Sequence, residues 1–260
     1  MFPISSPKET MDDRPRNEIL GVPIDNRPQV GLERVIGECL SGGSFVRIAT
    51  INPEFLVRAN RDADFKRNLL SADIRIADGS GIVLAGLLSG FGVSRYPGAD
   101  LMKFILTKAE RTGVPIFLAT GKGGLSSYET VRETVLRSYP DLRVDGADID
   151  PVSGGIPEGI RDTAVVLCNF GAPEQEYFVE SLRSRPGNIR LAMGVGGSFD
   201  YLTRKRRRAP VWMRVLGLEW AFRLAIQPTR AGRIWSAVVL FPFLCLSDRM
   251  KNGKQSTDNK

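Results

Sequence analysis

The sequence predicts an α/β fold: a Rossmann-like, mainly parallel sheet with helices on both faces, followed by a basic amphipathic helical C-terminal appendage. Three observations carry this. Short apolar, β-branched runs alternate with helix-period segments between residues 19 and 194. Polar and glycine-rich clusters fall where the apolar runs stop, the places that bind ligands in open parallel sheets. The composition then changes. Residues 201–260 hold thirteen Lys and Arg against three Asp and Glu, a net +10, so with +7 for the whole chain the first 200 residues sum to −3.

The elements follow in order. Residues 19–24 are expected to form a first strand and 30–40 a helical segment. Residues 45–51 make a strand that stops at Asn52-Pro53-Glu54. There Asn52 suits an N-cap, Pro53 the first helical position and Glu54 the positive end of a helix. Helices are expected over 53–60 and 63–70, a short strand over 74–77 ended by Asp78-Gly79-Ser80-Gly81, and a small apolar helix over 82–88. A helix over 100–111 leads to a buried strand at 115–119, the Gly121–Gly124 cluster and a helix over 126–138. Residues 142–146 read as a strand and 148–159 as loop. Strands at 163–169 and 189–194 flank a helix that runs to Arg185. Past Asp200 the pattern changes to a basic run, Arg204–Arg208, and a helix from Pro210 to Gln227 with Trp212, Leu216, Trp220 and Leu224 on one stripe. Glu219 and Arg223 are ordered for a helical ion pair. A second amphipathic segment covers 229–241. The organisation expected is a disordered lead-in over 1–16, an α/β domain over 17–203 and a membrane-associating appendage over 204–260.

Composition excludes several chemistries. The chain of 260 residues has no histidine, which removes imidazole bases, Ser/His/Asp triads and His metal ligands. Acid–base work falls to Asp, Glu, Lys, Tyr or Cys. Cys39, Cys168 and Cys245 are widely spaced and odd in number, which points to neither a disulfide framework nor a zinc site and suits a reducing compartment. The charged N-terminal residues lack the apolar core of a signal peptide. The longest apolar run, 234–246, is interrupted by Ser236 and Pro242 and is shorter than the roughly 20 residues a spanning helix needs, so it is expected to lie in an interface.

The candidate functional residues are Thr50 and Asn52, Asp78, Gly121 to Gly124, Gln175, and Gly196 to Asp200. Gly121 and Gly123, like Gly196 and Gly197, could present backbone N–H groups to a phosphate; tight strand-to-helix turns explain them equally well. The third glycine of a dinucleotide fingerprint is missing, with Ser126 in its place, and no Walker A pattern is present. Asp148-Ile149-Asp150 has the form of a metal-holding DxD, although a solvated turn is the simpler reading. Asp78, between a buried strand and Gly79, is either a desolvated base or an N-cap for the next helix; the residues alone leave both open. Trp212, Trp220 and Trp235 among arginines suit a lipid headgroup layer better than stacking on nucleobases or packing on the body, because the apolar 234–246 run is costly to leave in water and RNA has no use for it.

Several motifs then occur in order: Thr50-Ile51-Asn52-Pro53-Glu54, Ala77-Asp78-Gly79-x-Gly81, Gly98-Ala99-Asp100-Leu101, Gly171-Ala172-Pro173-x-Gln175-Glu176, Gly194 through Asp200, and Arg208-Ala209-Pro210 followed by Leu218-Glu219-Trp220. From about Ile19 to Arg233 the chain resembles the WecG/TagA/CpsF family of bacterial glycosyltransferases. The resemblance implies transfer of N-acetylmannosamine, its uronic acid or a related hexose from a UDP-sugar to a polyprenyl-diphosphate-linked saccharide. The transfer inverts the anomeric centre, requires no metal or other cofactor, and serves surface polysaccharide or teichoic acid synthesis. The enzyme would be peripheral on the cytoplasmic face of the membrane, with an anionic lipid surface and no nucleic acid as partner. Carried onto this chain, the resemblance makes Asp78 the general base and places Thr50 and Asn52 near the reacting sugars. Gln175 and Asp200 line the pocket, and Arg95 lies on the acceptor side. Arg207, Arg208, Arg214 and Arg223 of the appendage become diphosphate contacts. Residues 146–150 depart from the family's His/Gly/Tyr/Phe stretch, which leaves the donor sugar open. The rival classes are an RNA-binding protein using the basic run and an NAD(P)-dependent oxidoreductase.

Overall fold

A computed structural model describes residues 17–258 except Pro186. The lead-in expected over 1–16 lies outside the described residues. Strands β1 (Glu18–Ile19) and β2 (Val22–Pro23) form a small antiparallel hairpin. The single strand expected at 19–24 is folded back by Leu20 and Gly21, both at positive φ, as a two-residue primed turn requires. The main sheet contains β3 (Val46–Ile51), β4 (Ile74–Ala77), β5 (Ile116–Gly121), β6 (Val144–Ile149), β7 (Val165–Cys168) and β8 (Leu191–Gly194) in the order β4-β3-β8-β7-β5-β6. Every pairing in it is parallel.

The helices of the body are α1 (Gln29–Leu40), α2 (Pro53–Ala59), α3 (Ala63–Leu70), α4 (Ser80–Leu88), α5 (Gly98–Thr112), α6 (Tyr128–Ser138), α7 (Glu174–Ser181) and α8 (Ser198–Leu202). They cover both faces. Ile48, Ile116, Leu118, Val165, Leu167, Leu191 and Met193 pack on one face under α1, α5 and α6. On the other, Ala49, Ile51 and Ala77 pack under α2, α3 and α4, while Phe117, Val166 and Ala192 share a cluster with Val179 of α7. This two-sided burial explains why the strands read as continuous apolar runs. Helix starts follow local chemistry: Asn52 caps α2 by accepting from Phe55 N (3.1 Å), and Asp62 caps α3 by accepting from Phe65 N (2.9 Å).

One β3 residue breaks the apolar rule. Arg47 is fully buried, with Nη2 2.9 Å from Glu176 Oε2 and Nη1 2.8 Å from Glu180 Oε2. Asn68 and Ser71 complete its partners, and only Nε is left without one.

The structure corrects two further expectations about the body. β6 extends to Ile149, through residues read as loop. β5 supplies the register, Thr120 opposite Asp148 and Gly121 opposite Ile149, and Gly146 leaves room for the Tyr128 ring, since a Cβ there would lie 2.5 Å from Tyr128 Cε2. The helix expected to run to Arg185 stops at Ser181.

The appendage differs more. Its first helix is two pieces, α9 (Val211–Val215) and α10 (Glu219–Ile226), broken where Gly217 adopts φ +73°. A side chain at that position would press on Ser80 Oγ at 3.1 Å, so the break lets the chain cross the start of α4. After a short turn, α11 (Ala231–Trp235), a π-helical segment (Ser236–Leu240) and α12 (Phe241–Asp258) follow one another directly. Neither Ser236 nor Pro242 ends this helix. The π-helical segment immediately precedes Pro242, and such local widening releases the hydrogen bond a proline cannot make. Ala231–Met250 is therefore long and apolar enough to cross a membrane by length and composition, which overturns the expectation of runs too short to do so. It is nevertheless fastened to the body: Phe241 and Cys245 are buried in the α2–α4 cluster, Arg233 pairs with Glu54, and Arg249 donates to the Leu88 carbonyl.

Candidate active site

Because the strands are parallel, all six carboxyl ends meet on one edge, and the clusters that follow them line a cavity of about 620 Å³. β8, the last strand, lies beside β3, so the loops leaving the two tips diverge and open a crevice between them. Thr50 Oγ1 lies 3.5 Å from the Gly194 carbonyl across that gap. The wall includes Thr50, Asn52, Asp78, Arg95, Gly121, Gly123, Gln175, Gly196, Gly197 and Asp200 from the body, and Arg206, Arg208, Arg214, Glu219, Trp220 and Arg223 from the appendage.

Asp78 follows β4 directly. Its N–H donates to the Ile51 carbonyl (2.9 Å), holding its backbone to β3. The N-cap of α4 is Gly79, without a side-chain cap, so Asp78 does not cap the helix that follows it. Instead Oδ1 accepts from the Gly98 amide at the start of α5 (2.6 Å). Gly98 permits this approach, since a Cβ there would lie 3.0 Å from Thr50 Cγ2. The other carboxyl oxygen takes no hydrogen bond from the described residues, and Asp78 borders the cavity. Burial pushes its pKa above the usual carboxylate range; the Gly98 amide, Arg223 and Arg95 pull the other way, and Glu219 adds to the rise.

Arginines surround this carboxylate. Arg95 Nε donates to the Asp78 carbonyl (3.1 Å) and Nη1 to the Arg214 carbonyl (3.1 Å). Arg208 grips Asp100 with two bonds, 2.8 and 3.2 Å. Burial, the largest single influence, would raise the Asp100 pKa, but the bond to Arg208 together with the charges of Arg208, Arg214 and Lys103 holds that carboxyl below its ordinary range. Arg223 binds Glu219 and lies over the Tyr201 ring, 6.0 Å from its centre. Arg207 is exposed and does not line the cavity; its neighbour Arg206 does, with Nε 3.6 Å from Asp200 Oδ2.

Other expected site residues carry structural duties. Gln175 is buried, its Oε1 accepting from Gly171 N (3.1 Å) and Gly196 N (3.2 Å) while Nε2 donates to Glu176 Oε1 (2.9 Å). It therefore shapes the two loops on either side of the cavity floor. Asp200 accepts from Ser126 Oγ (2.9 Å), and the Gly121 amide donates to Asn169 Oδ1 (2.8 Å). Asn52 uses its carbonyl oxygen as a helix cap. Asp148 accepts from Thr120 Oγ1 (2.7 Å) and Tyr128 N (2.9 Å), and Asp150 accepts from Val152 N, Ser153 N and Ser153 Oγ. Both carboxylates of the DxD thus serve local backbone and hydroxyl groups. Among the described residues, no three His, Cys, Asp or Glu side chains form a group suited to holding a metal. Arg206, Tyr201, Glu219 and Phe170 escaped selection from sequence. Glu219 was visible as half of a helical ion pair and within the Leu218-Glu219-Trp220 motif, neither of which gave it a role in the site, and Arg206 only as one of five consecutive basic residues.

A parallel sheet with a carboxylate and an arginine cluster at one strand-edge cavity fits a sugar transferase, and the comparisons place the chain among glycosyltransferases. It belongs to the glycosyl transferase WecG/TagA/CpsF family, whose model matches residues 17–255. The N-acetylglucosaminyldiphosphoundecaprenol N-acetyl-beta-D-mannosaminyltransferase of Bacillus subtilis (strain 168) is 32% identical to it over 196 residues, covering 73% of this chain and 75% of that protein. Neither the RNA-binding nor the oxidoreductase reading gains support from these relationships.

Proposed function

We propose that the chain transfers an N-acetylmannosamine-type sugar from a UDP-sugar to a polyprenyl-diphosphate-linked saccharide, with inversion, at the surface of a membrane. The observation that carries this is the meeting of Asp78 with arginines of both the body and the appendage in one cavity, in a chain related to an enzyme with such an acceptor. Asp78 takes the proton of an acceptor hydroxyl as that oxygen attacks the anomeric carbon. The bond to the diphosphate breaks, and UDP leaves carrying the electron pair. One displacement needs one base and inverts the centre. Arg206, Arg208, Arg214 and Arg223, with loop amides such as those of Gly123 and Gly197, neutralise the departing diphosphate.

The base must be ionised to act. Since burial raises the Asp78 pKa, kcat/KM is expected to fall with decreasing pH through a value above the ordinary carboxylate range. A pH–rate profile flat down to about 4, where a free aspartate titrates, would remove Asp78 as the base.

The appendage supports membrane docking. Trp212, Trp220 and Trp235 are 59%, 40% and 65% exposed, so they do not pack away on the body. Val215, Leu216, Phe243, Leu246 and Met250 are exposed as well, which is costly in water. Each nearby Lys or Arg adds about 1 kcal/mol at an anionic leaflet. Truncation after Thr203 is expected to abolish pelleting with phosphatidylserine vesicles; undiminished pelleting would dismiss the appendage as the anchor. With α12 held along the body, the helix lies in the membrane plane, so alkaline carbonate is expected to release the full chain from membranes. Retention in the pellet would make Ala231–Met250 a span.

A further inference from the structure

The proposed reaction uses the arginines of the appendage, but nothing in it accounts for the acidic residue among them. Glu219 opens α10 and borders the cavity. Its Oε1 accepts from Arg223, Nε at 3.1 Å and Nη2 closer still, while Oε2 lies 3.9 Å from Nη2 of Arg95. One carboxylate therefore joins a guanidinium of the appendage to a guanidinium of the body. Arg95 is in turn bonded to the backbone of Asp78 and to the carbonyl of Arg214. The path from Arg223 through Glu219 and Arg95 to Asp78 is continuous.

A carboxylate so placed is a poor choice for attracting an anionic substrate, because it offsets one of the cations the diphosphate needs. Its value lies in geometry: a planar guanidinium gripped through Nε and one Nη is fixed in direction, and Arg223, so gripped, lines the cavity. We propose that Glu219 is a positioning residue that aims Arg223 at the leaving diphosphate and registers the docked appendage against Asp78 through Arg95. This rests on the transferase reading above and names the device that makes docking of the appendage count for the chemistry. The pairing also explains why a separate latch exists. Arg208 on Asp100 holds the appendage without Glu219, so loss of Glu219 removes alignment and leaves attachment in place.

The test is Glu219→Gln, which keeps the shape and one acceptor oxygen, measured with UDP-N-acetylmannosamine and a short N-acetylglucosaminyl-diphosphate lipid. An interaction made in the transition state shows in kcat, so kcat is expected to fall about tenfold or more with the donor KM within about threefold. Vesicle pelleting should be unchanged. The charged groups facing Asp78 are Arg95 before α5, Arg208 of the basic run, and Arg223 and Glu219 of α10; only the last is negative. Its removal should move the acid limb of the rate profile to lower pH. Glu219→Asp, which keeps the charge and shortens the reach, should lose kcat without that displacement. A cycle with Arg223→Gln completes the test: if Glu219 acts through Arg223, the double variant loses no more than the more damaged single one. Wild-type kcat in both Glu219 variants, additive losses, or lost pelleting with a raised acceptor KM would overturn the proposal. Asp78→Asn separates the two ideas. Substantial turnover by that variant removes the transferase mechanism itself, whereas an inactive Asp78→Asn beside a wild-type-like Glu219→Gln removes only the role of Glu219.

Discussion

Asp78→Asn is expected to lower kcat by about 10² to 10⁴-fold, the usual contribution of a positioned base, while leaving the fold intact or more stable. The amide keeps the shape and can still accept from the Gly98 N–H, so the α4–α5 junction is preserved. It cannot take a proton from the acceptor. The stability sign follows from the raised pKa. A carboxyl with a folded-state pKa above its unfolded value costs stability when ionised; the cost is absent below the unfolded pKa and complete above the folded one. At neutral pH the amide avoids that cost, so thermal unfolding should show an unchanged or higher midpoint alongside the lost turnover. A variant that loses activity and stability together would mark Asp78 as a structural residue. Near-normal turnover would remove it as the base.

The second large effect is structural. Arg47→Met is expected to destabilise the chain by about 3–5 kcal/mol, because it leaves Glu176 buried and unpaired. Replacing Glu176 as well, as Arg47→Met/Glu176→Met, removes the stranded charge and should recover part of the loss. Urea unfolding of the two variants measures both. The double variant should still be impaired in turnover, since Glu176 holds Gln175, and Gln175 holds the amides of Gly171 and Gly196 on the cavity floor. A single variant within about 1 kcal/mol of the parent would place Arg47 among ordinary surface ion pairs and contradict its burial.

The alternation of apolar runs with helical segments was legible because a two-sided parallel sheet needs strands that are apolar throughout. The strand-edge cluster was legible for the same reason: Asn52, Asp78, Gly121 and Gly196 stand where the apolar runs end. Other features depend on partners distant in sequence. The Asp-rich stretch 145–149 becomes strand because β5 lends it a register and Tyr128 fits against Gly146. The break at Gly217 answers to Ser80, and the passage of the last helix through Pro242 answers to the π-helical turn before it. Gln175 was visible as a pocket residue, but not that both ends of its amide are engaged by the protein. Arg206 and Arg207 are indistinguishable in a basic run; only the fold turns one toward Asp200 and leaves the other exposed. Arg47 went unnoticed in an apolar strand, since its carboxylate partners lie about 130 residues further along the chain.

The position of the acceptor hydroxyl decides whether Asp78 is the base. The most direct measurement is a ternary complex of the inactive Asp78→Asn chain with intact UDP-N-acetylmannosamine and a short lipid-diphosphate acceptor. The acceptor hydroxyl is expected about 3 Å from the side chain at position 78, in line with the anomeric carbon, with Arg223 on the diphosphate. A hydroxyl resting against a different acid, or a donor bound with its anomeric carbon turned away from position 78, would contradict the assignment.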